Sequence, residues 1–171
     1  MKKHSASVSV DGLTGSLSLN LLDRETGEVL ESLPIRQATP QDKAFILSTW
    51  IRSYAQAVRR TRVAVGTESI QSIPQEVYLR EEPIIAESLW MQCLVVGSSS
   101  ASDEYTIHAW VCGSSGKLYH CYVPPELRGK GIAKALISHL CGTTLQYARP
   151  WPFSRVPNGW SFNPYLLRKE G

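Results

Sequence analysis

Apolar and polar residues alternate in two short runs near the start of the chain, which is the pattern of half-buried strands. Residues 7–10 and 17–21 alternate in this way. Residues 11–12 (Asp-Gly) and 23–28 follow the two runs and supply turn residues. The pattern predicts a β-hairpin or meander with one apolar face.

Such a ribbon needs a surface to pack on, because a two-stranded hairpin is only marginally stable alone. The surface is the main domain, another copy of the chain, or a partner. We therefore treat residues 1–32 as an N-terminal extension and residues 33–171 as the main domain. The extension is predicted to be either an edge hairpin or an arm for a protein partner or self-association.

A helical pattern follows a short strand predicted over residues 34–38. Thr39 has the residue type of an N-cap, Pro40 suits the first helical position, and Asp42 places an acidic group near the positive end of the helix dipole. The helix is predicted from residue 40 to about residue 60, because apolar residues recur at helical spacing. These residues are Phe45, Ile46, Trp50, Tyr54 and Val58.

The middle of the chain predicts a helix, a meander of strands, another helix and a final strand pair. A second helix is predicted over residues 74–91, with a kink at Pro83 because a proline ring clashes with the preceding turn. The apolar runs then predict five strands, over residues 92–97, 105–111, 118–123, 143–148 and 160–167. Ser/Gly turns are predicted at residues 98–102 and 113–116, and the helix between the third and fourth of these strands is predicted to end at Gly142.

The strand over 118–123 leads directly into the best candidate for a ligand site. Two prolines end the strand, Arg-Gly-Lys-Gly follows at residues 128–131, and apolar residues then recur at helical spacing from Ile132. The first amides of a helix have no intrahelical partner, and the helix dipole adds partial positive charge at the same place. Glycine also allows close approach to the main chain. The stretch therefore predicts an anion cradle.

The residues of this loop can be compared with the sequence motifs of known phosphate-binding loops. It lacks the spacing of the Walker A loop, and Lys134 stands where the dinucleotide fingerprint needs its third glycine. Residues 128–133, Arg-Gly-Lys-Gly-Ile-Ala, resemble the pyrophosphate loop of the GNAT superfamily of N-acetyltransferases, Arg/Gln-x-x-Gly-x-Gly/Ala. Residues 35–42, Ile-Arg-x-Ala-Thr-x-x-Asp, resemble the way a GNAT domain opens. The resemblance implies an α/β (α+β) fold, with a mixed, mostly antiparallel central sheet flanked by helices and the hairpin arm added.

A narrower resemblance covers residues 34–167. The helix motif Phe45-x-x-Ser-Thr-Trp-x-x-Ser-Tyr54, the loop, and the tail Trp-x-Phe-Asn-Pro-Tyr-Leu at residues 160–166 are similar to small GNAT-like proteins of tailed bacteriophages. The tail departs from the common GNAT pattern, because its prolines prevent the short helix that usually follows the last core strand.

The GNAT resemblance implies acetyl-CoA as the co-substrate. Val123 would lie beside the pantetheine arm through its main chain, with Tyr122 next to it. The pyrophosphate would be held by the loop residues Arg128, Gly129, Lys130, Gly131, Ile132 and Ala133.

Acetyl transfer also needs a base for the amine and an acid for the leaving thiolate. Histidine titrates near neutral pH, so His120 on the strand before the loop is the candidate base. Strict strand alternation predicts that it shares a face with Leu118 and Tyr122. Family resemblance suggests Tyr165 or Tyr147 as the acid. The alternative for each is a core residue with a satisfied polar group.

Tyr54 is predicted to line the acceptor side of this site, with the same core alternative. No acidic pair with general-base spacing stands out in the sequence, and neither does a metal-ligating cluster.

The composition of the chain limits the classes of protein to which it can belong but does not indicate a reaction. The 171 residues are enough for one domain with a real core, and a net charge of +3 is too small to indicate nucleic acid by itself. The four cysteines include no C-x-x-C pair, so a reducing cytoplasm is expected, which is the host cytoplasm for a phage protein. Neither a signal peptide nor a membrane span is expected.

Three functions remain open from the sequence. The first is an N-acetyltransferase whose amine acceptor is a small molecule, a protein lysine or N-terminus, or a modified nucleobase. The second is a catalytically weak GNAT-fold protein with a virion-associated or host-partner-binding role. The third is nucleic-acid binding through basic residues of the first helix, which are Arg52, Arg59, Arg60 and Arg62.

Overall fold

The computed structural model describes residues 3–64, 75–98, 105–148, 156–163 and 166–167. The strands within these ranges are β1 His4–Val10, β2 Leu17–Asp23, β3 Val29–Gln37, β4 Leu94–Val96, β5 Ala109–Ser114, β6 Lys117–Tyr122, β7 Leu145–Tyr147 and β8 Trp160–Phe162. The helices are α1 Lys43–Ala64, α2 Gln75–Leu89 and α3 Ile132–Cys141, with short 3₁₀ turns at Pro40–Asp42, Trp90–Gln92 and Pro125–Leu127.

In the described part of the chain, eight strands form one sheet in their order along the sequence. Neighbouring strands are antiparallel from β1 to β6, and β6, β7 and β8 are parallel. The sheet curls, because α3 contacts both β1 and β5, which would be about 19 Å apart in a flat sheet. The predicted fold class, a mixed and mostly antiparallel sheet flanked by helices, is confirmed.

The two faces of the sheet carry separate apolar cores. Helix α3 covers one face, where Leu136 and Ile137 pack against buried strand residues such as Leu19 and Val111. Helices α1 and α2 cover the other face in a cluster rich in aromatic residues, which contains Ile46, Trp50, Tyr54, Ala86, Trp90 and Trp110. Three residues of the predicted apolar face of α1, Ile46, Trp50 and Tyr54, are therefore buried, whereas Phe45 is 37 % exposed. The side chain of Val58 lies outside the described part of the structure.

The N-terminal hairpin is continuous with the main sheet. Strand β3 pairs with β2 along most of its length, and its last three residues pair with β4. The boundary placed between residues 32 and 33 falls inside this strand. Pro34 is tolerated there although it cannot donate, and its carbonyl accepts from the Gly97 amide at 2.9 Å. Whether residues 1–32 serve a partner stays a prediction.

Two predicted strands have different bounds in the structure. The strand predicted over 105–111 is β5, Ala109–Ser114, so Gly113 belongs to the strand and not to the turn. A Cβ at Gly113 would lie 2.5 Å from the Lys117 carbonyl oxygen and 2.7 Å from Cys141 Sγ, so this glycine marks close packing. The tail strand predicted over 160–167 is shorter, Trp160–Phe162.

The start of α1 is fixed by a buried carboxylate. Asp42 is fully buried and accepts hydrogen bonds from Arg36 Nη1 at 2.6 Å, from Arg36 Nη2 at 2.9 Å and from the Thr39 amide at 2.7 Å. The Tyr105 hydroxyl donates to the same carboxylate. Asp42 thus joins β3, α1 and the segment before β5, a role beyond the helix-dipole interaction that the sequence predicted.

None of the helices in the described ranges is both long enough and apolar enough to span a lipid bilayer.

Candidate functional site

The chain between β6 and α3 forms a loop whose shape depends on two glycines. A 3₁₀ turn at Pro125–Leu127 follows β6, and Arg128 is extended. Gly129 has φ of 80° and Gly131 has φ of 85°, which are left-handed conformations that a side chain disfavours. Gly131 is the N-cap of α3, so the second glycine turns the chain directly into the helix. The predicted strand, loop and helix therefore follow one another as expected.

The amides of this loop separate into two groups. Those of Leu127 and Arg128 donate to the carbonyls of Pro124 and Pro125 at 3.0 and 3.3 Å. By contrast, the amides of residues 129–133 donate no hydrogen bond to any other described residue. They lie at the positive end of the α3 dipole, where unpartnered N–H groups form a site for an anion.

The Arg128 side chain adds a fixed positive charge beside these amides. Its Nε donates to the carbonyl oxygen of Val123 at 2.9 Å, which holds the side chain across the junction of strand and loop. Arg128 is exposed, and its two terminal nitrogens contact no acceptor among the described residues. This geometry presents a planar guanidinium that can bind phosphate oxygens in a bidentate manner.

A notch between β6 and β7 leads to the loop. The two parallel strands pair only at Lys117 with Gln146 and at Leu118 with Tyr147, and the Ala148 amide donates to the Leu118 carbonyl at 3.2 Å. Strand β6 continues to Tyr122 beyond the last of these pairs. Among the described residues, the main chain of β6 therefore has no β7 partner beyond Leu118, and this unpaired stretch leads to Val123 and the loop.

A β-bulge changes which residues of β6 share a face. Cys112 pairs with His120 and Gly113 with Leu118, so Tyr119 is the extra residue. Leu118 consequently packs in the core under α3, while His120 contacts the aromatic cluster on the opposite face. The prediction that His120 shares a face with Leu118 is therefore wrong, because a bulge reverses the alternation; its shared face with Tyr122 is correct.

His120 is enclosed by aromatic rings. It is 1 % exposed, stacks on Trp50 with ring centroids 5.3 Å apart, and lies 5.4 Å from the Trp110 ring. Its Nε2 is 2.8 Å from the Ser53 hydroxyl, and its ring centroid is 6.4 Å from that of Tyr54. The structure thus brings two predicted site residues, His120 and Tyr54, together beneath α1.

Comparison with known protein families gives one match, the acetyltransferase (GNAT) family, over residues 63–156. The matched region is more than half of the chain and contains β4–β7, the loop and α3. The chain belongs to the GNAT family. Neither the curated proteins nor the solved structures gave a match.

The acid candidates of this GNAT protein are placed differently from its base candidate. Tyr147 lies in the core on the α3 face, with its ring centroid 5.5 Å from Phe162 and 6.0 Å from Trp160. Burial raises the pKa of Tyr147, which keeps its phenol protonated at neutral pH. His120 lies on the other face, so the structure does not bring these two residues together. Tyr165 lies outside the described residues.

Sequence reasoning missed two polar residues at the aromatic cluster, namely Ser53 beside His120 and Glu82 beside Trp50. From the sequence alone, Ser53 would be interpreted as a polar surface residue of α1. Glu82 would be interpreted as part of an exposed acidic run before Pro83. In this GNAT structure Glu82 is 5 % exposed and its Oε1 accepts from Trp50 Nε1 at 2.7 Å. The available signal was the spacing of Glu82 and Ala86, which places both on the buried face of α2.

Two further predictions concern charge and metal. The side chains of Arg59, Arg60 and Arg62 lie outside the described part of the structure, and Arg52 is exposed on α1. Among the described residues, no three His, Cys, Asp or Glu side chains are grouped so as to hold a metal ion.

Proposed function

We propose that this protein is an acetyl-CoA-dependent N-acetyltransferase. The observation that carries the proposal is the set of amides at residues 129–133, which donate to no described residue and lie at the start of α3, where an anion would be stabilised. Membership of the GNAT family supports acyl transfer from a CoA thioester. The pyrophosphate would accept hydrogen bonds from these amides and from the free end of the Arg128 guanidinium.

The notch between β6 and β7 supports a path for the pantetheine arm. The arm would run from the loop past Val123 and Tyr122 along the unpaired part of β6. The thioester would then lie near the level of His120 in the sheet. There the amine nitrogen attacks the thioester carbonyl, a C–N bond forms, the C–S bond breaks, and the thiolate of CoA takes up a proton.

The proton on the attacking amine needs a path to a base. We place that path through the Ser53 hydroxyl, which is half-buried and 2.8 Å from His120 Nε2. His120 is itself almost fully covered, so a direct contact with the amine would require the Trp50 side chain to move. Tyr54 would line the acceptor side of this path, and Tyr147 and Tyr165 are the candidate acids for the thiolate.

Thermal unfolding with and without acetyl-CoA tests cofactor binding. At one hundred times its dissociation constant the ligand should stabilise the fold by about 2.7 kcal/mol, which is an easily measured rise in melting temperature. Arg128→Ala should weaken binding, whereas Lys117→Ala, at the end of β6 remote from the loop, is the matched control. If millimolar acetyl-CoA does not raise the melting temperature, the proposed acetyl-CoA-dependent activity is ruled out.

The amine acceptor would be sought by following release of free CoA thiol against panels of small amines, peptides and nucleosides. His120→Ala and Ser53→Ala should each reduce kcat at saturating acetyl-CoA. If both variants keep the wild-type rate and pH profile, the Ser53–His120 path is wrong.

A second candidate function is a GNAT-fold binding protein with little turnover. The observation that favours it is the burial of both His120 and Tyr147, which places two candidate catalytic groups in packed cores. The resemblance of the α1 motif and the tail to bacteriophage proteins fits a role in the host cytoplasm or in the virion. Binding of acetyl-CoA without thiol release on any acceptor panel would favour this reading.

A further inference from the structure

Two of the four cysteines lie side by side beneath the aromatic cluster. Cys93 and Cys112 belong to the core that α1 and α2 cover, whereas Cys121 and Cys141 pack on the side of α3. Both members of the first pair are fully buried. The proposed acyl transfer uses neither of these two thiols, so their position needs a separate explanation.

The pairing of β4 with β5 places Cys93 directly opposite Cys112. Leu94 pairs with Val111, and the same antiparallel register continued by one residue joins the two cysteines. Cys93 has φ of −71° and ψ of 141°, so the extended backbone continues to it. Its carbonyl accepts from the Ala38 amide at 3.0 Å, which turns its main-chain polar groups toward β3 and away from β5.

Cys93 and Cys112 therefore form a non-hydrogen-bonded cross-strand pair. In such a pair the Cα atoms are about 4.5 Å apart and the two side chains are close together. A disulfide spans Cα separations of about 4.4 to 6.8 Å, so the bond can form here with little movement of the backbone. The two sulfur atoms are already neighbours, because the Cys93 thiol forms a hydrogen bond with that of Cys112.

The surroundings of the two sulfur atoms favour a neutral product. The hydrogen bond to Cys112 and burial raise the pKa of the Cys93 thiol, which is therefore protonated at neutral pH. A monovalent metal ion held by two thiolates would leave a net negative charge in this apolar cluster, which is costly. The described residues also supply no group of three ligands for a metal ion. A disulfide, by contrast, carries no charge.

We propose that Cys93 and Cys112 are a redox-sensitive pair that hydrogen peroxide converts into a cross-strand disulfide. One thiolate attacks a peroxide oxygen, the O–O bond breaks, and hydroxide leaves a cysteine sulfenic acid. The second sulfur then attacks the sulfenic sulfur, the S–S bond forms and the S–O bond breaks. In total the two thiols lose two protons and two electrons, and the peroxide becomes two molecules of water. The proposal does not depend on the proposed function.

The pair also adjoins the candidate acyl-transfer site. Cys112 pairs with His120 across β5 and β6, and its thiol donates to the Leu89 carbonyl at the end of α2 at 3.6 Å. Oxidation removes this S–H donor. Formation of the disulfide would therefore remove a contact that holds the end of α2 over the aromatic cluster.

Mass spectrometry after treatment with hydrogen peroxide tests the proposal. Wild-type protein that has been reduced and then freed of reductant should lose about 2 Da and give a cross-linked peptide pair containing Cys93 and Cys112. The reaction should be faster at pH 9 than at pH 7, because the thiolate is the nucleophile. Cys93→Ala and Cys112→Ala should each prevent the cross-link. Cys121→Ala, on the α3 face, is the matched control and should form it as the wild type does.

Two results of the peptide mapping would overturn the proposal. The first is a wild-type protein that keeps all four thiols, or that gains sulfinic acid at either residue without a cross-link. The second is a disulfide that includes Cys121 or Cys141, because the register of β4 on β5 would then not direct the reaction.

Thermal unfolding of the oxidised protein tests the geometry of the pair independently of the variants. The cross-link closes a loop of about 20 residues, so the oxidised wild type should melt about 5 to 10 °C above the reduced protein. Dithiothreitol should reverse the rise. An unchanged or lower melting temperature in the cross-linked protein would show that the bond strains the sheet and that the two cysteines do not lie in register.

Discussion

The buried carboxylate of Asp42 gives a prediction whose size follows from the structure. Burial would raise the pKa of Asp42, but hydrogen bonds from Arg36, Tyr105 and Thr39 outweigh it and lower the pKa from 3.8 to about 2. At about 1.4 kcal/mol per pKa unit, this shift contributes about 2 kcal/mol to folding at neutral pH. The contribution is present above pH 4 and is lost as the pH falls toward 2.

Asp42→Asn removes the charge with little change of shape. The cost at pH 7 should be about 2 to 4 kcal/mol, because the Arg36 guanidinium, whose side chain is only 16 % exposed, is left without its carboxylate. With a urea m-value of about 2 kcal/mol per M, the unfolding midpoint should fall by about 1 to 2 M. The difference from wild type should shrink between pH 4 and pH 2.

Urea unfolding at pH 7, 4 and 2.5 measures this difference. Asp11→Asn is the matched control, because hydrogen bonds from the Thr14 and Leu13 amides lower the pKa of that exposed carboxyl too, yet no cation pairs with it among the described residues. A wild-type midpoint for Asp42→Asn at pH 7, or a difference that does not change with pH, would refute the reasoning.

Three other changes have definite expected outcomes. Tyr105→Phe should reduce the loss of stability between pH 10 and 12, because burial and the bond to Asp42 raise the Tyr105 pKa from 10 to about 12. The stabilisation from this shift is full below pH 10 and is lost as the pH rises to 12, which alkaline melting curves measure. Gly113→Ala should cost about 1 to 3 kcal/mol in urea unfolding, because a Cβ there meets a carbonyl oxygen at 2.5 Å. His120→Ala should cost about 2 to 4 kcal/mol by opening a cavity between two indoles, whereas His139→Ala, on an exposed position of α3, should cost little.

The backbone of the candidate anion loop could be predicted from the sequence because it is local. The end of the strand is marked by two prolines, and the start of the helix by two glycines. Over the same stretch the spacing of apolar residues changes from every second residue to every third or fourth, and all these signals lie within about fifteen residues. Gly129 and Gly131 have the positive φ values that their residue type favours. The family followed from the same residues.

The surroundings of the site could not be predicted, because they depend on contacts between distant segments. The bulge at Tyr119 reverses the strand alternation, and no single-sequence pattern marks an inserted residue. The buried carboxylate of Glu82 accepts a hydrogen bond from the indole N–H of Trp50, which lies 32 positions earlier in the chain. The packing of β1 on α3 requires a curled sheet, and the curl is a property of all the strands together.

The sheet itself separates the chemical tasks that the proposed reaction needs. The candidate anion loop lies at the start of α3, while Ser53, Tyr54 and His120 lie on the face covered by α1. Among the described residues, the pairing of β6 with β7 stops at Leu118 and Tyr147, and the proposed opening between these faces lies beyond that point. A thioester delivered from the α3 side can reach an amine on the α1 side only through such an opening. The short pairing of β6 with β7 is therefore as necessary to the proposed reaction as the glycines of the loop.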